Sequence, residues 1–138
     1  MYLTITNQDT IDILALNIVH REREVHSYQI NIDNYNAMLT ALPQGDIPAE
    51  IAQYAFTDTG EDVPVDKLPM FLPIETVQTI ADYQYRRRIT NLIRTENIEQ
   101  NKAKRVLDVL KAQIPADQLD ALVADALVKV NAQSAPSA

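Results

Sequence analysis

The sequence predicts an all-α fold: a long antiparallel helical hairpin, about residues 9–42 and 74–114, with two shorter helices at about 48–56 and 117–130. Three observations predict it. Asp9 to Leu42 holds no Gly or Pro, and its apolar positions advance in steps of three and four: Ile11, Leu14, Ile18, (Arg21), Val25, Tyr28, Ile32, Tyr35, Leu39, Leu42. A seam of this period keeps one face of a long helix against a partner helix. A second stripe follows the same logic through Ile74, Val77, Ala81, Tyr85, Ile89, Leu92, Ala103, Val106, Leu110 and Ile114. Finally, hydrophobic content is 46% with only two Gly, a composition suited to ordered helix.

Each element has a local reason. Met1 to Thr6 has β-propensity and reads as a short extended arm or edge strand. Asn7 or Asp9 can cap the first helix, and Asp12 favours its positive end. Val25 to Ile32 alternates in part and admits a strand reading. The unbroken spacing of Val25, Ile32 and Leu39 favours helix, since an inserted strand scrambles the phase. Pro43-Gln-Gly45 stops the helix, and Asp46-Ile-Pro48 starts the next as an N-cap with Pro in the first turn. Thr57 to Val65 is an acidic loop. Leu68 to Pro73 is apolar and broken by proline, so it is expected to strap across the bundle end and pack on the core. Pro115 ends the second long helix, Asp117 caps the last one, and Asn131 to Ala138 reads as a flexible tail. A single domain over residues 1–130 is the expectation for a chain of 138 residues.

Arg21 is the one charge in the first seam, and Glu96 and Glu99 are the acids in the middle of the second. If Leu42 lies beside Ile74, Arg21 falls opposite position 95. That register predicts a polar layer of Arg21 with Glu96 and Glu99, a device that sets alignment more than it adds stability. The competing reading turns all three along the seam edge into water.

The chemistry-bearing residues are few. Cysteine is absent, which excludes disulfides, thiolate metal sites and cysteine catalysis. His20 and His26 do not share a helix face and lie off the seam. The sequence has no His-Glu-x-x-His, Gly-rich phosphate loop or Gly-x-Ser-x-Gly, and Glu61, Asp62 and Asp66 lack calcium-loop spacing. The expectation is a non-enzymatic protein without cofactor or metal. No basic region followed by an apolar core opens the chain, and charge interrupts every long apolar segment, so neither a signal peptide nor a membrane span is expected.

The sharpest charged feature is Tyr83-Gln-Tyr-Arg86-Arg87-Arg88. At 100° per residue, Arg87, Arg94 and Arg105 fall on one face with Lys102 nearby. Residues 74–114 hold eight basic and five acidic residues, and the remainder holds four and fourteen, giving +3 and −10 within the net −7. Arg87, Arg94, Lys102 and Arg105 are therefore the candidate partner-binding residues. The bland reading is an outer face balanced by the chain's own acids or a neighbouring subunit. An acidic protein partner comes next. Nucleic acid comes last, because the overall field is negative.

The stretch Arg21-Glu-Arg-Glu-Val-His-Ser-Tyr-Gln-Ile-Asn-Ile-Asp-Asn-Tyr35, with Tyr83-Gln-Tyr-Arg-Arg-Arg-Ile-Thr-Asn-Leu-Ile-Arg-Thr-Glu96-Asn-Ile-Glu-Gln-Asn-Lys-Ala103, resembles small proteins encoded by tailed bacteriophages and prophages. The likeness lies in the run of residues over most of the chain rather than in a motif, and it carries no functional residue over. It implies a bacterial host cytoplasm or a virion. It also implies a role in particle structure, assembly or host interference. The leading expectation is a homo-oligomeric structural or assembly protein that binds itself and another phage or host protein. Ile18, Val25, Tyr28, Ile32, Tyr85, Ile89 and Leu92 are expected to carry folding or assembly. The alternative is a small inhibitor or regulator that binds a host protein or nucleic acid through the basic helix face.

Overall fold

In the computed structural model, which describes residues 8–134, α1 runs as one unbroken helix over Gln8–Leu39. Residues 25–32 are thus helix, as the heptad phase requires. The expected arm Met1 to Thr6 and the cap at Asn7 lie outside the described residues; Asp9 sits inside the first turn. The helix tightens at its end. The amides of Thr40, Ala41 and Leu42 bond the carbonyls three residues back, and Gln44 Nε2 donates to the carbonyls of Leu39 (2.8 Å) and Leu42 (2.7 Å). A side-chain amide thus satisfies carbonyls that a helix end leaves open. Gly45 follows at φ 83°, a conformation that suits glycine.

α2 spans Ala49–Ala55, with Pro48 rather than Asp46 at the N-cap position and no side-chain cap. Val65–Lys67 forms one 3-10 turn. α3 covers Ile74–Ala112 and α4 covers Ala116–Ser134. Asp117 lies in the first turn of α4, where it meets the positive end of the helix dipole instead of capping it. Helix continues through Asn131 to Ser134, so this part of the expected tail is ordered; residues 135–138 lie outside the described residues. Among the described residues the fold is all-α, with one isolated bridge between Phe56 and Asp62.

Where one domain is expected, the contacts group the chain into two compact units. The first comprises residues up to Ile30 with those from Asn97 onward; the second is Asn31–Glu96. The first has a periodic apolar core of Leu14, Ala15, Ile18 and Val19 from α1, Leu107 from α3, Ile114 just beyond its end, and Ala126 and Val130 from α4. The second has a smaller core of Ala55, Leu68 and Ile80, wrapped by Ile51, Tyr54, Phe56, Val63, Leu72 and Val77.

Within each unit α1 and α3 run antiparallel, in a register different from the expected one. In the first unit Gln100 Nε2 donates to Val25 O (3.2 Å) and Gln29 Oε1 (3.0 Å), and Lys111 pairs with Glu22 at 3.2 Å. In the second, Asn31 Nδ2 donates to Glu96 at 3.2 Å, and Arg86 Nη1 donates to Pro43 O (2.8 Å) and Gly45 O (2.7 Å). The end of α1 therefore stands against Arg86 and not Ile74, roughly three helical turns further along α3. The connector causes the shift, because its apolar residues pack along the first turns of α3 around Ile80.

The proposed layer of Arg21, Glu96 and Glu99 does not form. Exposed Arg21 pairs with Glu24 at 2.8 Å, Glu96 accepts from Asn31, and Glu99 pairs with Lys102 at 3.3 Å. Along α3, Ile89, Ile93, Glu96, Gln100, Ala103, Leu107 and Leu110 are all buried or half-buried, and Ile114 just beyond it is buried. This phase takes in Gln100, which the sequence reading passed over.

Candidate interaction surfaces

In the second unit, a short stretch of α3 clasps the connector. Gln84 is 4% exposed, and its Nε2 donates to Ala55 O (2.9 Å) and Val63 O (2.8 Å). Those carbonyls flank the acidic loop, whose turn closes through Thr57 N to Glu61 O (2.8 Å) and Glu61 N to Thr57 Oγ1 (3.0 Å). The Arg86 guanidinium lies 4.9 Å from the Tyr83 ring centroid while it holds the turn after α1. Arg87 lies over the Phe56 ring at 4.7 Å. Arg88 pairs with Asp62 at 3.2 Å. The arginine triplet thus fastens three points of the connector, with the Arg86 and Arg87 guanidinium groups over aromatic rings.

This changes the reading of the basic stripe. Arg87 is committed to Phe56, and its Nη2 lies 3.0 Å from where a side chain at Gly60 would begin. Arg94, also in the second unit, is exposed and makes no ion pair among the described residues. In the first unit Lys102 is exposed and paired to Glu99, whereas Arg105 is exposed with no ion pair among the described residues. The outward row of α3 here contains apolar residues too. Ile98 (49% exposed), Lys102, Arg105 and Val109 (61% exposed) fall within about 60° at 100° per residue.

The strap behaves differently from the expectation. Leu68 and Leu72 do pack on the core of the second unit, but Met70 is fully exposed and Phe71 is 75% exposed. A turn between Pro69 and Leu72, whose amide bonds Pro69 O at 3.2 Å, holds the pair outward. The Phe71 ring meets Tyr54 edge-on at 6.3 Å. Ile74 at the start of α3 and Val65 are exposed as well. Tyr85 and Leu92, expected in the seam, are about two-fifths exposed, since the buried positions on this part of α3 are Tyr83, Gln84 and Ile89.

The acids around this strap are numerous. Residues 46–75 contain seven carboxylates and one Lys. Asp66 and Glu75 flank the strap, and Glu50 sits one turn before Tyr54 in α2; all three are exposed. The first unit also has a groove of about 370 Å³ lined by Val19, Glu22, Arg23, His26, Ser27 and Leu127. Its Glu22 is tied to Lys111 and its Arg23 donates to Asn131 Oδ1. Among the described residues no group of three or more His, Cys, Asp or Glu is placed to hold a metal, and no helix is long and apolar enough to cross a membrane.

Compared with family models, curated proteins and solved structures, the chain matches none.

Proposed function

We propose that this chain is a non-enzymatic, homo-oligomeric interaction protein, a structural or assembly component of the kind tailed phages encode, acting in a host cytoplasm or virion. The observation that carries the reading is the presented pair Met70-Phe71. Leucines on both sides are anchored in the core, and a hydrogen-bonded turn between two prolines holds the pair in water. Large apolar side chains fixed outward in this way gain about 1.5–3 kcal/mol each when a partner buries them. An assembly role also uses the helical frame only as a scaffold, in keeping with the architectural commitment of the arginine triplet. Size-exclusion chromatography with light scattering tests the reading. The wild-type chain is expected to elute above its 15.5 kDa monomer mass, and Phe71→Ser to elute closer to it. A monomeric wild type contradicts self-association.

Arg105, exposed and without an ion pair among the described residues, supports a second reading in which a basic helix face binds an acidic host protein or nucleic acid. A gel shift at physiological salt that is lost in Arg105→Glu favours that reading over assembly.

A further inference from the structure

Two exposed apolar patches differ in the charge around them. On the second unit, Asp66 and Glu75 flank the segment that bears Met70, Phe71 and Ile74, Glu50 sits one turn before Tyr54, whose ring meets Phe71, and none of these three acids makes an ion pair among the described residues. On the first unit, Ile98 and Val109 stand in one row with Lys102 and Arg105. Both patches have an apolar centre, and their rims are opposite in charge, carboxylate on one and basic on the other. We propose that the strap of one copy docks on the outer α3 row, Ile98 to Val109, of a second copy. The proposal rests on the self-association reading above and adds its mode. Because the two patches are different, the contact is heterologous, and it propagates from copy to copy until a ring closes or a filament grows. The charged rims orient the approach and weaken the contact as salt rises, while the apolar centres supply the burial.

A complementation experiment separates this mode from any other. One variant, Met70→Lys with Phe71→Lys, loses the strap and keeps the row. The other, Lys102→Glu with Arg105→Glu, loses the row and keeps the strap. All four side chains are exposed, so both variants should retain the helical circular dichroism of the wild type. Should either double exchange lose it, the single exchanges Met70→Lys and Arg105→Glu replace them. By sedimentation velocity the wild type is expected to form species larger than a dimer that shrink at high salt. Each variant alone is expected to be monomeric. Their equimolar mixture is expected to give a finite dimer of twice 15.5 kDa, because one intact strap and one intact row remain. A wild type that associates while the mixture stays monomeric overturns the mode and leaves self-association standing. A strap variant that still reaches the wild-type mass alone overturns it likewise. A monomeric wild type overturns both and assigns the two patches to partners of other kinds.

Discussion

The two units solve the same problem by different physics. The first closes with apolar side chains at helical spacing from three helices, and its central residue, Ile18, is fully buried. The second closes a connector onto one helix with directed polar contacts from Gln84, Arg86, Arg87 and Arg88, around a small core. A periodic core tolerates sliding of its parts, whereas a clasp of this kind fixes particular atoms. The clasp therefore sets where α1 ends against α3 in the second unit.

The largest effect is expected from Ile18→Ala, which removes buried volume from the first core and should cost about 2–5 kcal/mol in urea unfolding. Gln84→Leu comes next. It leaves Val63 O without its Gln84 donor and Ala55 O with only the bond from Val63 N, at about 1–3 kcal/mol. Its signature is faster hydrogen exchange in residues 56–63 with little change around α4. Gly60→Ala forces a side chain into φ 84° and against Arg87, for about 1–2 kcal/mol. In a double-mutant cycle with Arg87→Ala, part of that cost should vanish, because the steric share needs the guanidinium while the backbone share does not. Arg21→Ala should be smallest. It removes only an exposed ion pair one turn long, so its effect on the midpoint should stay below about 1 kcal/mol. A large loss there would restore a buried layer at Arg21.

The residues explain what sequence could and could not show. The heptad spacing of Ile11 to Leu39 was enough to read α1 as one helix through residues 25–32, and Pro48, Pro73 and Pro115 marked the starts of α2, α3 and α4. Register was not legible, because apolar stripes of period seven match in several alignments. The deciding contacts, Arg86 to Pro43 and Gly45 and Gln100 to Gln29, join residues far apart in the chain. Gln100 could have been found by continuing the phase of Ala103, Leu107 and Ile114 backwards. The arginine triplet was visible as charge, but its commitment to Phe56, Asp62 and the turn after α1 was not. The Leu68 to Pro73 strap was legible as core-packing at Leu68 and Leu72. Proline geometry alone did not reveal the outward turn of Met70 and Phe71.

That outward pair also allows the central claim, burial of the strap in a self-assembly, to be tested directly. Besides Met1, the chain has Met38, about two-fifths exposed, and fully exposed Met70. Peroxide oxidation followed by peptide mass spectrometry reads both thioethers in one sample. Self-association through the strap predicts that Met70 oxidation slows as protein concentration rises while Met38 oxidation holds steady. A Met70 rate that is the same at every concentration, in samples that sedimentation shows to be associated, contradicts it.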